Sequence, residues 1–198
     1  MSSHSSVKKG EGPEGPIPDA VPGAPAKTPV SKTIALVGMM GVGKSTVGKR
    51  LAQDLGLPFI DSDDEIEKAA GLSVREIFDK HGEPEFRRGE RKVIERLLNG
   101  PPIVLATGGG AYMDADTRAL MKARATTVWL RADLDVIWKR VSRRDTRPLL
   151  KQENPRQVLA DLDAKRAPIY AEADIVVDSG DGPATDAVNA IREKLQSI

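Results

Sequence analysis

The run Gly38-Met-Met-Gly41-Val42-Gly43-Lys44-Ser45-Thr46 satisfies the pattern G-x-x-x-x-G-K-[ST], with an apolar stretch before it and a helical period after it. Glycines at these spacings let successive backbone N–H groups turn inward on a chain of phosphates. The helix starting near Lys44 adds the positive end of its dipole. Lys44 is suited to bridge the transferable phosphates as a point charge, and the Ser45 hydroxyl to ligate magnesium. Gly41, Val42, Gly43, Lys44, Ser45 and Thr46 are therefore the candidate contacts to a nucleotide's phosphates. Loops of this kind serve GTPases, motor ATPases and small-molecule kinases alike, so the acceptor must be read from other residues.

Carboxylates supply the next signal. In Phe59-Ile60-Asp61-Ser62-Asp63-Asp64 they stand directly after a predicted strand, whose carboxyl end faces the ligand crevice of an open parallel sheet. Strand alternation would send Asp61 and Asp63 the same way, one to order magnesium-bound water and the other to accept a hydroxyl proton. Helix-start charge is the alternative for such acids, and Asp64 and Glu65 are read that way. In Gly82-Glu-Pro-Glu-Phe86-Arg87-Arg88-Gly-Glu90, Arg87 and Glu90 are three apart on a predicted helix, so the carboxylate can orient the guanidinium. A surface ion pair of small energetic weight is the plain alternative.

Thr107-Gly108-Gly109-Gly110 stands where many phosphate-loop enzymes carry an acid. Three glycines there let a ligand lie against backbone N–H groups, or simply make a tight turn. Without that acid, the metal depends on Ser45, phosphate oxygens and water ordered by Asp61. Arginines gather in Arg140-Val-Ser-Arg143-Arg144-Asp-Thr-Arg147, which reads either as a lid that brings cations onto phosphate or as a solvated loop. Leu159, Leu162 and Arg166 follow i, i+3, i+7 and set a guanidinium on an apolar helix face. Such an arginine needs an anionic partner, either an internal acid or a substrate carboxylate gripped in bidentate fashion.

The elements that must hold these groups alternate short apolar runs with longer segments of helical period, the pattern of βα units around a parallel sheet. Predicted strands are Thr33–Val37, Pro58–Ile60, Pro102–Ala106, Thr127–Leu130 and Asp174–Val177. The first helix carries Val47, Leu51 and Leu55 on one face, and the last carries Val188, Ile191 and Leu195. The expected fold is α/β, a three-layer arrangement around a central parallel sheet of five strands.

A chain of 198 residues suits one domain with a sizeable core. Residues 1–31, rich in Ser, Gly and Pro, read as a disordered N-terminal extension, and 32–198 as the phosphate-loop domain. Thirty basic residues against 29 acidic ones, with few aromatics, argue against a nucleic-acid partner. The absence of cysteine excludes disulfides and thiolate metal sites and suits a cytoplasmic protein. No run approaches the roughly 20 apolar residues of a membrane span, so no membrane association is expected.

Taken in order, the phosphate loop, Asp61-Ser-Asp63, Glu85-Phe-Arg87-Arg88 with Glu90, Thr107-Gly-Gly-Gly110, Arg147-Pro-Leu-Leu150 and Lys165-Arg166-Ala-Pro-Ile-Tyr170 resemble shikimate kinase from about residue 32 onward. The resemblance implies transfer of the γ-phosphoryl group of ATP to the 3-hydroxyl of shikimate with Mg2+ as cofactor, a step toward chorismate and the aromatic amino acids. It implies a substrate-binding region over about 61–98 and a lid over about 142–155. By position, Asp63 would take the acceptor hydroxyl, and Arg87 and Arg166 would clamp the substrate carboxylate, with Gly109 adding a backbone N–H. Lys44 and Arg147 would stabilise phosphate charge, Arg140 would face adenine, and Ser45 and Asp61 would serve the metal. Asp178-Ser-Gly-Asp-Gly-Pro lacks the basic residue that some relatives carry near adenine. A monomer is expected. Another metabolite kinase, acting on gluconate or a nucleoside monophosphate, and a non-catalytic nucleotide binder are the competing readings. The first is opposed by the triple glycine and arginine spacing, the second by the intact set of Lys44, Asp63 and acceptor arginines.

Overall fold

A computed structural model describes residues 31–142 and 153–197. The N-terminal extension, all but its last residue, lies outside them, as do residues 143–152 of the expected lid, including Arg147. The chain begins with β1 (Thr33–Val37) and α1 (Lys44–Leu55), followed by β2 (Phe59–Asp61), α2 (Ser62–Ala70) and α3 (Val74–Leu98). Then come β3 (Val104–Ala106), a 3-10 turn (Ala111–Met113), α4 (Ala115–Arg124) and β4 (Ala125–Arg131). The series closes with α5 (Leu134–Val141), α6 (Pro155–Tyr170), β5 (Ile175–Asp178) and α7 (Ala184–Leu195).

The strands form one sheet in the order β2-β3-β1-β4-β5, every neighbouring pair parallel. All carboxyl ends thus open on one edge, and β1 lies at the centre where the order reverses, so the loop after it occupies the ligand-binding crevice of such sheets. All five residues of β1 are buried, as a continuous apolar run predicts for a strand covered on both faces. Observed strand ends differ slightly from expectation. Proline has no N–H for the ladder, so β2 starts at Phe59, and β3 starts at Val104 because the Ile103 amide donates to Thr33 Oγ1 at 3.3 Å, while the Pro58 carbonyl accepts from the Val104 amide at 2.9 Å.

The expected stripes face inward: Val47 and Leu51 of α1 and Val188 and Ile191 of α7 belong to the main core, with Leu55 and Leu195 packed at its margin. Gly48 lies on the same face of α1. A Cβ there would come within 2.6 Å of the Phe59 ring and 3.1 Å of Leu36. Gly48→Val should therefore overpack the helix–sheet interface at a cost of roughly 1–3 kcal/mol. Thermal unfolding followed by circular dichroism should show a clearly lower Tm.

A smaller cluster, Ile66, Ile77, Phe86 and Val93, joins α2 to α3 apart from the main core. The sequence predicts a helix opening near Gly82, whereas α3 begins at Val74 behind a Ser73/Glu76 capping box. Gly82 interrupts it with non-helical dihedrals (φ 76°, ψ 171°), so the helix restarts at Glu83 with Pro84 in the new first turn, where proline is tolerated.

Candidate active site

The loop between β1 and α1 is anchored at several points. Gly41 and Gly43 adopt φ of 83° and 101°, a region that favours glycine. Lys44 Nζ donates to the carbonyls of Gly38 and Met39 at 2.8 and 2.9 Å, so its charge lies over the loop. The Val42 carbonyl accepts from Ser179 Oγ at 2.7 Å and from Arg140 Nη1 at 3.2 Å, and Arg140 Nη2 donates to the Gly180 carbonyl at 2.5 Å. Arg140 thus ties the phosphate loop to the turn after β5, bringing a cation to the very segment that carries none. Ser179 was no sequence candidate. Its only sequence signal is its position just beyond a strand's carboxyl end.

Asp61 and Asp63 converge, but not by strand alternation as expected. The strand ends at Asp61, which caps α2: its Oδ1 accepts from the Asp63 amide at 3.1 Å. The other oxygen, Oδ2, accepts from Ser45 Oγ at 2.7 Å, which joins the acid to the start of α1. Asp63 is therefore a first-turn helical residue, with Asp64 and Glu65 beside it as the dipole favours. Burial lifts its carboxyl above the ordinary value, the neighbouring Asp61 adds to the rise, and Lys44 opposes it. Its Oδ1 is buried without a hydrogen-bond partner.

Arg87 and Glu90 meet as predicted, and the pair is not a surface one. Arg87 Nη1 donates to Glu90 Oε2 at 2.6 Å, and Glu90 is only 2% exposed. Burial raises the Glu90 carboxyl, with Arg87 holding it down. The triple glycine explains itself here by contact. A Cβ on Gly110 would stand 2.3 Å from Arg87 Nη2, and one on Gly108 would stand 2.8 Å from Glu90 Oε1 and 2.9 Å from Asp63 Oδ1. The Gly108 amide donates to Ser62 Oγ at 3.1 Å.

Arg166 points inward from α6, and among the described residues its hydrogen bond goes to a backbone carbonyl: Nη1 donates to Gly109 O at 3.1 Å. Tyr170 Oη donates to the same carbonyl. Burial pushes the Tyr170 phenol up to about 12, so it stays a neutral donor. The carbonyl of Gly109 thereby fixes the turn, and α6 with it, while a Cβ on Gly109 would meet the Met40 amide nitrogen at 3.4 Å. Between these groups lies a cavity of about 270 Å³ lined by Glu83, Arg87, Gly110, Met113, Asp114 and Arg166. Met113 and Asp114 carry no local sequence mark, and Glu83 has only its spacing of one helical turn from Arg87.

Among the described residues, contacts at the carboxyl ends of the strands link these groups in sequence: Arg140 to the phosphate loop, Ser45 to Asp61, Asp63 to Gly108, Arg166 to Gly109 and Arg87 to Gly110. A phosphate loop beside two arginines and a glycine turn can hold a polyphosphate next to a second, anionic ligand. Arg147 falls outside the described residues. No helix among those residues is long and apolar enough to cross a membrane.

Known proteins resemble this chain in sequence and fold. The sequence profile of the shikimate kinase family matches residues 40–196. The shikimate kinase of Caulobacter vibrioides is 57% identical over 166 residues, covering 84% of this chain and 83% of that protein. That of Paramagnetospirillum magneticum is 56% identical over 166 residues, covering 84% and 85%. The shikimate kinase from Acinetobacter baumannii, solved in complex with shikimate, superposes with a TM-score of 0.80 at 42% identity, over 84% of this chain and 93% of that one. Identity of this order over most of the chain reaches well beyond a shared fold, and the chain belongs to the shikimate kinase family.

Proposed function

We propose that the chain is a shikimate kinase, transferring the γ-phosphoryl group of ATP to the 3-hydroxyl of shikimate to give shikimate 3-phosphate and ADP. The observation that carries this reading is the convergence of Asp63, Arg87 and Arg166 on the triple-glycine turn, beside a complete phosphate loop. Shikimate is a ring bearing hydroxyls and one carboxylate, and these groups suit both features.

In this reading the backbone from Gly41 to Thr46 cradles the phosphates of ATP, and Lys44 neutralises charge on the group in transit. Asp63 accepts or orients the proton of the 3-hydroxyl, its raised carboxyl being a better base for that proton than an ordinary aspartate. Arg87 and Arg166 hold the substrate carboxylate, and the Gly109 amide steadies a ring hydroxyl. Arg140 lies toward adenine. Arg147, in the proposed lid, joins Lys44 on the phosphate once the site closes. Ser45 Oγ and Asp61 Oδ2, hard oxygens 2.7 Å apart beside the phosphate loop, fit a magnesium site, the serine as ligand and the carboxylate through water. The ion supplies charge neutralisation on the β- and γ-phosphates. Residues 1–31 are proposed as an extension outside the kinase domain, and the enzyme as a cytoplasmic monomer that binds neither nucleic acid nor membrane.

ADP formation with Mg-ATP, measured with shikimate, gluconate, AMP and no acceptor, tests the reading. Turnover stimulated by shikimate alone is the expected result, and ATP binding without such stimulation would leave only the phosphate loop assignment standing. A variant sharpens it. Because a side chain at position 110 drives the Arg87 guanidinium aside, Gly110→Ala should raise the KM for shikimate roughly ten- to hundredfold, the scale of one charged hydrogen bond. The KM for ATP should hardly change.

A further inference from the structure

The edge of Arg87 that a substrate carboxylate needs is already engaged. A guanidinium grips a carboxylate best through parallel N–H bonds from two of its nitrogens. In Arg87, Nη1 is committed to the buried Glu90, while Nε and Nη2 both donate to Glu83 Oε1, at 3.3 and 3.1 Å. Glu83 itself lines the cavity with Arg87 and Arg166. The two acids that hold Arg87 differ in kind. Glu90 is buried, but the Glu83 side chain is 64% exposed and free to leave into water. It stands where α3 restarts after Gly82, one helical turn before Arg87, the favourable order for an acid and a base at i, i+4.

We infer that Glu83 is an internal stand-in for the acceptor's carboxylate, and that acceptors bind by exchanging their own carboxylate for that of Glu83 on Arg87. The inference rests on the reading of Arg87 as a carboxylate clamp. Its consequence is selectivity. A carboxylate ligand replaces the bonds that Glu83 gives up, whereas a neutral ring of the same shape enters beside Glu83 and replaces nothing. Glu83 also keeps Arg87 extended over the cavity when no acceptor is bound, at the cost of competing with the acceptor that arrives. An exposed pair of this type contributes modestly, so the competition should cost the acceptor only a few-fold in affinity.

Calorimetric titration of the full chain and of Glu83→Gln with shikimate and with its methyl ester tests this. Glutamine keeps the shape, and at so exposed a position it leaves the fold intact, which thermal unfolding verifies. The expected result is a shikimate Kd lower by roughly two- to fivefold in Glu83→Gln, with the methyl ester unchanged. A shikimate Kd that stays the same or rises overturns the inference, since Glu83 would then merely brace Arg87. An equal gain for both ligands also overturns it, because Glu83 would then only obstruct the cavity. Arg87→Ala serves as the control for the underlying reading: if that variant binds shikimate as well as the parent, the clamp assignment fails, whatever Glu83→Gln shows.

Discussion

Asp63→Asn should lower kcat for shikimate phosphorylation by about 10²- to 10⁴-fold, the contribution of a well-positioned general base, while the protein remains folded. The amide can still accept a hydrogen bond from the substrate hydroxyl, so the KM for shikimate should move far less than kcat. The same change should raise stability. Asp63 is half-buried, with its Oδ1 buried and unpaired, and the partial burial lifts its carboxyl above the ordinary value. A carboxyl that holds its proton more tightly folded than unfolded leaves the folded state progressively less stable as pH rises above the ordinary aspartate range, and at neutral pH its ionised form works against folding. Asparagine removes that charge and offers N–H groups near Gly108, where Glu90 Oε1 is also unpaired. A gain on the order of 1 kcal/mol would shift Tm by about 2–4 °C in a chain of this size. Steady-state kinetics and thermal unfolding of the ligand-free protein at neutral pH check both halves. A variant that is inactive but also less stable would show that Asp63 supports the fold, and the catalytic reading would lose its best evidence.

The second large effect belongs to Lys44. Removing a single preorganised donor from a developing anionic charge costs about 10²- to 10³-fold in kcat, and Lys44→Ala should fall in that range. Its amine already lies over the loop, held by the carbonyls of Gly38 and Met39, so a phosphate arriving there meets a charge whose position is set in advance. Lys44→Arg should recover only part of the loss, because a planar fork cannot replace a compact ammonium between two carbonyls and a phosphate. Rates of ADP formation, with nucleotide affinity measured separately by titration, distinguish lost catalysis from lost binding. If ATP affinity falls as steeply as the rate, Lys44 acts in the ground state, and the charge-stabilising role passes to other cations.

Much of this protein is written in short stretches of its chain. The phosphate loop, the alternation of strands and helices, and the inward arginine on α6 are signals contained in a dozen residues or fewer, where glycine spacing and apolar periodicity report directly on backbone geometry. The five-stranded parallel sheet follows from them. Arg87 and Glu90, three apart on a helix, were legible for the same reason. Glu83 was not singled out: it stands one turn before Arg87, but spacing alone cannot tell a buried partner from an exposed one, and that difference separates a fixed brace from a carboxylate that can leave.

Only the tertiary structure decided the rest, because it concerns contacts between segments far apart in the chain. The Ser179 bond to Val42 joins residues separated by 137 positions, and Arg166 meets Gly109 across 57. No local pattern encodes such a pair, since it exists only after the sheet has ordered its strands. Asp61 and Asp63 show the limit within a single motif: an extended chain and a capped helix both bring them together, and their shared neighbourhood was readable while the mechanism was not. The triple glycine is the clearest case. Its composition allowed a turn or a ligand platform, and the packed structure adds a third cause, that Arg87, Glu90 and Asp63 press so close to Gly108 and Gly110 that a side chain there would collide with the groups proposed to do the chemistry.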